Sequence, residues 1–319
     1  MLRGRRLLAV ICCALFAFYF PPSIGAQGDG SAFVRAESLV VVTHDNVSHD
    51  SGAYTQGLEF YNGRLFESTG IYGNSSLREV NLSTGEVIRS IELSEDEFGE
   101  GLTFVGDQII QLTWREGVAY RYDVETFEEV ANYSYSGEGW GLAFDGNQLI
   151  MSDGSDVLQF RNATTFALES TLNVTLNNES LNNLNELEMY GGLLMANVYQ
   201  TDEIVAIDLA SGVVVWHIDA SGLQPQGGEV LNGIAFDSST QSLWVTGKYW
   251  PVMYNVSFLE PEPSPEPETN DEVELVVSNE VESVYVDIIL VTMIILIVTL
   301  WAKKLKDGGY NPPIKGDSE

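Results

Sequence analysis

An acid, a cation, side-chain amides and aromatic rings stand at equivalent places of one repeated segment. The segment reads Gln56-Gly-Leu-Glu-Phe60, Glu100-Gly-Leu-Thr-Phe104, Trp140-Gly-Leu-Ala-Phe144, Asn185-Glu-Leu-Glu-Met189 and Asn232-Gly-Ile-Ala-Phe236, at intervals of 40 to 47 residues. The framework matches, while the first residue varies: Gln56, Glu100, Trp140, Asn185, Asn232. Counting on within each repeat gives a second set: Gly70, Trp114, Gly154, Tyr199 and, after a two-residue insertion in the last turn, Lys248. A carboxyl can carry a proton, an ammonium can stabilise developing negative charge, and amides can hold a polar ligand. Aromatic walls with a few convergent polar groups are the usual make-up of a small-molecule site. The same residues also fit a plain packing role, with the rings plugging a narrow channel and Glu100–Lys248 as a structural ion pair. Lys248 stands apart in either case. It is the only lysine before residue 303, the other basic residues of 37–258 being arginine.

To bring these positions together, each repeat must supply short strands in register. Every segment is followed by a turn signal, such as Asn62-Gly63 or Asp145-Gly146, and then by an apolar strand. Short strands recurring every 40–50 residues predict a β-propeller with one four-stranded blade per repeat. In the first repeat the strands fall at Gln56–Phe60, Gly63–Gly70, Leu77–Leu82 and Val87–Leu93, the last two joined by Thr84-Gly85. The fifth repeat is one strand short, and a spare strand, Ser38–Thr43, precedes the first. The expected fold is therefore all-β, a five-bladed propeller over residues 37–258. Its ring is closed by the N-terminal strand on the fifth blade, which leaves no open edge.

The two ends read differently. Residues 1–26, a basic start followed by an apolar run and small residues, predict a secretory signal peptide. Residues 284–302 form an apolar run long enough for a single transmembrane helix, followed at once by Lys303, Lys304 and Lys306. This predicts a cell-membrane protein that passes once, with the propeller outside and residues 303–319 as a cytoplasmic tail. Residues 259–283, with Pro261, Pro263, Pro265 and Pro267 among acidic residues, predict an extended spacer. Both cysteines, Cys12 and Cys13, fall in the signal peptide, so the exported domain is expected to lack disulfides. Eight N-x-S/T sequons, from Asn46 to Asn255, fit a glycoprotein.

The chain carries a formal net charge of −31. Residues 37–258 hold 32 acidic and seven basic side chains, which excludes nucleic-acid binding through a basic surface. The three histidines, His44, His49 and His217, show no metal-ligand spacing, so no metal or cofactor is expected. No nucleophile elbow of the G-x-S-x-G type occurs.

Eight motifs in order resemble the glutamine cyclotransferase family, the plant and bacterial type of glutaminyl cyclase. They are Tyr54-Thr-Gln-Gly-Leu58, Phe98-Gly-Glu-Gly-Leu-Thr103, Gln111-Leu-Thr-Trp114, Gly137-Glu-Gly-Trp-Gly-Leu142, Leu184-Asn-Glu-Leu-Glu188, Ala196-Asn-Val-Tyr-Gln-Thr-Asp202, Leu231-Asn-Gly-Ile-Ala235 and Val245-Thr-Gly-Lys-Tyr-Trp-Pro251. The resemblance implies a five-bladed propeller enzyme that closes the N-terminal glutamine of peptides or proteins to pyroglutamate and releases ammonia. It implies catalytic roles for Glu100 and Lys248, and substrate contacts from Gln56, Trp114, Trp140, Asn185, Tyr199 and Tyr54. Tyr54 stands where that family usually has Phe, and Tyr199 where it usually has Trp. The implied partners are peptides with N-terminal glutamine, met by a monomer. The reading from a different class is a non-catalytic surface propeller that binds peptides or glycans.

Overall fold

The repeated apolar segments are strands; the first four each open a run of four, and the fifth opens a run of three that the N-terminal strand extends. The computed structural model describes residues 35–261. The segments read as signal peptide (1–26), membrane span (284–302) and tail (303–319), and nearly all of the spacer, lie outside the described residues. Among the described residues no helix is long and apolar enough to cross a membrane, and the one helical element is a 3-10 turn at Ser221–Leu223. The fold is all-β.

In chain order the strands are β1 (Glu37–Ser48), β2 (Thr55–Tyr61), β3 (Arg64–Thr69), β4 (Ser76–Val80), β5 (Val87–Glu92), β6 (Gly99–Val105), β7 (Gln108–Thr113), β8 (Val118–Asp123), β9 (Glu129–Ser134), β10 (Leu142–Phe144) and β11 (Gln148–Met151). There follow β12 (Val157–Asn162), β13 (Leu168–Asn173), β14 (Thr175–Leu176), β15 (Glu179–Ser180), β16 (Leu184–Tyr190), β17 (Leu193–Val198), β18 (Glu203–Asp208), β19 (Val213–Asp219), β20 (Leu231–Asp237), β21 (Ser242–Gly247) and β22 (Val252–Leu259). β2–β5, β6–β9 and β10–β13 are separate antiparallel sheets of four. β16–β19 and β20–β22 belong to one larger sheet, joined through β1.

The N-terminal strand is longer than its apolar core suggests, and it bonds on two sides. It pairs antiparallel with β22 over Val40–Ser48 and parallel with β19 over Glu37–Val40. Only the first half carries the Val-rich pattern. The second half, His44–Ser48, is polar and mostly exposed. Backbone pairing with β22 holds it where periodicity gives no signal. The short hairpin β14–β15, also without an apolar signature, hangs on the edge of β19 at Val213.

The first strand of each run touches the first strand of the next: β2 against β6, β6 against β10, β10 against β16, β16 against β20, and β20 back against β2. Glycine permits this close approach. A Cβ on Gly57 would stand 2.5 Å from the Leu102 nitrogen, and one on Gly141 only 2.0 Å from the Asn185 carbonyl. At the matching place the fourth repeat has Glu186 instead. Its carboxylate accepts the N–H groups of Leu58 at 3.3 Å and Ile234 at 2.9 Å, so it ties β16 to β2 and β20. Between the sheets lie buried Leu, Ile, Val and Phe side chains, among them Phe66, Leu77, Leu102 and Ile109 in one cluster. Ile204, Ile218, Ile234 and Trp250 form another.

A buried ion triad fastens the last loop to the first sheet. Arg78 donates from Nε and Nη2 to Glu67 Oε2 at 2.9 and 2.7 Å. The other oxygen of Glu67 accepts Thr55 Oγ1 at 2.7 Å and His49 Nε2 at 3.1 Å. His49 Nδ1 lies 2.7 Å from the Trp250 carbonyl, so both ring nitrogens face acceptors and the imidazolium form fits. Burial works against that charge, but Glu67 outweighs it and the His49 pKa is raised. For Glu67 burial is likewise opposed, by Arg78 and His49, and its pKa is lowered to about 2. Glu67 therefore contributes stability that is complete above its ordinary value of 4.5 and fades as pH falls toward 2. His49 contributes stability that is complete below 6.5 and fades as pH rises through its raised pKa. The melting temperature should peak between those limits, and His49→Gln should flatten its alkaline side. Arg78→Met, which strands a buried carboxylate, should cost about 3–5 kcal/mol in denaturant titration.

Candidate active site

The variable residues of the repeats meet at one end of the strand cycle. Tyr54, Gln56, Glu100, Trp114, Trp140, Asn185, Tyr199 and Lys248, together with Phe98, line a single cavity of about 170 Å³. The remaining ring positions lie behind it. Asn232 is buried and donates from Nδ2 to the Thr55 carbonyl at 2.9 Å and to Gln56 Oε1 at 3.2 Å. Gly70 and Gly154 are places taken up by neighbouring rings. A Cβ there would stand 2.2 Å from the Phe98 ring and 2.6 Å from the Trp140 ring, respectively.

Glu100 enters from the start of β6. Its Oε1 accepts Gln56 Nε2 at 3.0 Å, so the amide orientation runs as a chain from Asn232 through Gln56 to the carboxylate. Its Oε2 is buried and has no hydrogen-bond partner, and neither has Asn185 Oδ1. A buried acceptor without a partner is costly, and both residues line the cavity in which a ligand could supply donors. Burial raises the Glu100 pKa well above its ordinary value; the positive charge of Lys248 opposes this, and Glu138 and Glu116 add to it.

Lys248 directly follows β21. Its backbone is held between Val230 and Glu229, by Lys248 N–H to the Val230 carbonyl and Glu229 N–H to the Lys248 carbonyl, both at 2.9 Å. The next residues complete the hold: Tyr249 N–H donates to the Ala53 carbonyl at 2.7 Å, and fully buried Trp250 packs on Gly247 and Gly228. The ammonium stands over two rings, 4.5 Å from the Tyr54 centroid and 4.9 Å from that of Tyr199, a cation–π cradle. Burial lowers its pKa to about 8, against the pull of Glu100 and Glu229. Among the described residues Lys248 makes no ion pair within 4 Å. Both charges line the cavity without closing on one another, which counts against a merely structural pair.

The aromatic wall is braced from outside by a residue the repeat register passes over. Glu138 Oε2 accepts both indole N–H groups, Trp114 Nε1 at 2.8 Å and Trp140 Nε1 at 3.0 Å. Its Oε1 accepts Arg115 Nε at 2.9 Å, and the Arg115 guanidinium lies 3.6 Å from the Trp114 ring centroid. Burial opposes the Glu138 charge, but these donors hold its pKa below the ordinary carboxylate range. Tyr199 meets Trp140 edge to face at 5.4 Å, and Phe98 lies between Tyr54 and Trp114, 6.0 and 5.5 Å from them. The histidines stand elsewhere: His44 on Ser257, His49 in the triad and His217 beside Glu203.

Chemically, the cavity is lined by a carboxyl of raised pKa, an ammonium, side-chain amides and a box of aromatic rings. That set suits an intramolecular reaction of one small polar group. A family model described as glutamine cyclotransferase matches residues 16–258. Over 261 residues the chain is 37% identical to the glutaminyl-peptide cyclotransferase of Arabidopsis thaliana, which spans 78% of this chain and 81% of that protein. The crystal structure of Myxococcus xanthus glutaminyl cyclase matches with a TM-score of 0.67 at 33% identity, over 72% of this chain and 100% of that one.

Proposed function

The chain belongs to the glutamine cyclotransferase family, and we propose that Glu100 and Lys248 carry out its conversion of N-terminal glutamine to pyroglutamate. The single observation that carries the assignment is Glu100, a cavity-lining residue of raised pKa whose Oε2 is buried without a hydrogen-bond partner.

The α-amino nitrogen of the glutamine attacks its own γ-carbonyl carbon, forming the ring C–N bond, and the bond to the side-chain nitrogen breaks to release ammonia. The attacking nitrogen must shed a proton, and the leaving nitrogen must gain one. Glu100 accepts the first and returns it to the second, and its raised pKa brings it toward that of an α-amino group, so that neither transfer is steeply uphill. Lys248 faces the carbonyl oxygen as it gains negative charge, and its desolvation makes that attraction stronger than it would be in water. Asn185 Oδ1 accepts from the substrate amide or amine, and Gln56 fixes the carboxylate. Trp114, Trp140, Tyr199 and Tyr54 press the side chain into the folded shape that brings nitrogen to carbonyl, converting binding energy into rate.

The same reading includes a five-bladed propeller, which the closed cycle β2–β6–β10–β16–β20 supports. It includes export and anchoring by a single helix at 284–302, supported by the apolar runs at the two ends of the sequence. The test is incubation of the full chain, in detergent, with a Gln-initiated peptide and mass spectrometry of the product. Loss of one ammonia per peptide, unaffected by chelator, is expected. Binding without that loss would favour a non-catalytic propeller.

A further inference from the structure

A cavity of about 170 Å³ takes one side chain, so a peptide substrate must leave it over the rim. Tyr54 belongs to that rim and also to a second, larger hollow of about 330 Å³. The hollow lies over the first sheet, at the same end of the strands. Its floor is a registered row across three strands, Thr69 opposite Ser76 opposite Glu92, with Arg78 opposite Ser90 in the next row. Asp50 closes one side. The lining is almost wholly hydrogen-bonding groups, unlike the aromatic box beside it.

We propose that this hollow binds the residues that follow the N-terminal glutamine, and that it favours a basic side chain among them; the proposal rests on the cyclisation reading above. The charges decide the preference. Arg78 is fully engaged, with Nε and Nη2 on Glu67 and Nη1 on Asp50. Glu92 is exposed and makes no ion pair among the described residues. The hollow thus presents an unspent carboxylate and no unspent cation. The Thr69 and Ser76 hydroxyls bond each other at 2.7 Å, and the exposed Ser90 hydroxyl and Asn74 amide can meet the peptide's own N–H and C=O groups, which carry no sequence preference. An acidic residue after the glutamine meets Glu92, and the acidic surface of the domain, as like charge.

The test uses the full chain in detergent and three probes: glutaminamide, Gln-Lys-Ala-amide and Gln-Glu-Ala-amide. The wild type should prefer the lysyl over the glutamyl peptide in kcat/KM by about two- to fivefold, the scale of one partly exposed charge pair. Glu92→Lys should cancel or reverse that preference while leaving glutaminamide turnover unchanged. Ser90→Trp, which fills the hollow, should raise KM for both peptides about tenfold or more and again spare glutaminamide. An unchanged Lys/Glu ratio in Glu92→Lys would overturn the proposal, as would an equal loss on glutaminamide and peptides in Ser90→Trp. Failure of the wild type to release ammonia from glutaminamide would overturn the cyclisation reading and this proposal together. Intact glutaminamide turnover without peptide discrimination would overturn this proposal alone.

Discussion

Glu100→Gln should lower kcat for cyclisation by about 10²–10⁴-fold, the range that general acid–base groups supply. Glutamine keeps the carbonyl oxygen that accepts Gln56 Nε2, so the box should keep its shape and peptide binding by calorimetry should change little. The variant should also be the more stable protein. A folded-state pKa raised by burial means that ionisation is costly in the fold. Stability of that origin is present at low pH and lost as pH rises through the raised value. The neutral amide escapes the loss, so Glu100→Gln should melt above the wild type at neutral and alkaline pH. A residue kept for structure would show the opposite: retained turnover and a lower melting temperature.

Lys248→Arg should lower kcat by about 10²–10³-fold, the cost of removing one aimed electrostatic donor. The substitution preserves charge, so only geometry is at issue. An ammonium is a compact point, whereas guanidinium is a wide planar fork. The space between the Tyr54 and Tyr199 rings holds the ammonium 4.5 and 4.9 Å from their centroids, and the longer side chain would drive its fork into the cavity. Circular dichroism should be unchanged, because the backbone of Lys248 is held by Val230 and Glu229 and not by its side chain. Full activity in Lys248→Arg would remove the reason for assigning the role to a lysine.

The cavity-lining residues are legible in the sequence because the repeat itself exposes them. Beside a framework of glycine and apolar residues that agrees from repeat to repeat, the one slot that varies stands out, and it holds Gln56, Glu100, Trp140, Asn185 and Asn232. Register also carried the second set, and with it Trp114, Tyr199 and Lys248. It failed where a slot is filled from elsewhere: Gly70 and Gly154 mark the seats of the Phe98 and Trp140 rings. Phe98 precedes Glu100 by two residues and lies outside both register slots. Glu138 is invisible for a different reason. Its role depends on two indole N–H groups, from Trp114 and from Trp140, converging on one oxygen, and no spacing in the chain encodes that convergence. Glu186 is the departure from glycine in the fourth repeat, and its bonds to Leu58 and Ile234 exist only once β2, β16 and β20 are brought together. The His49–Glu67–Arg78 triad likewise joins residues whose separate surroundings in the sequence are unremarkable. Polar convergence is a property of the closed ring, while the apolar pattern that closes it belongs to each strand.

If the Glu100 carboxyl carries the proton, infrared difference titration reads that carboxyl directly. The carboxyl band absent from Glu100→Gln should titrate in the wild type well above the ordinary value of 4.5, at the same pH as the acid limb of kcat/KM for a Gln-initiated peptide. A band that titrates near 4.5, or an acid limb that does not coincide with it, would contradict the account.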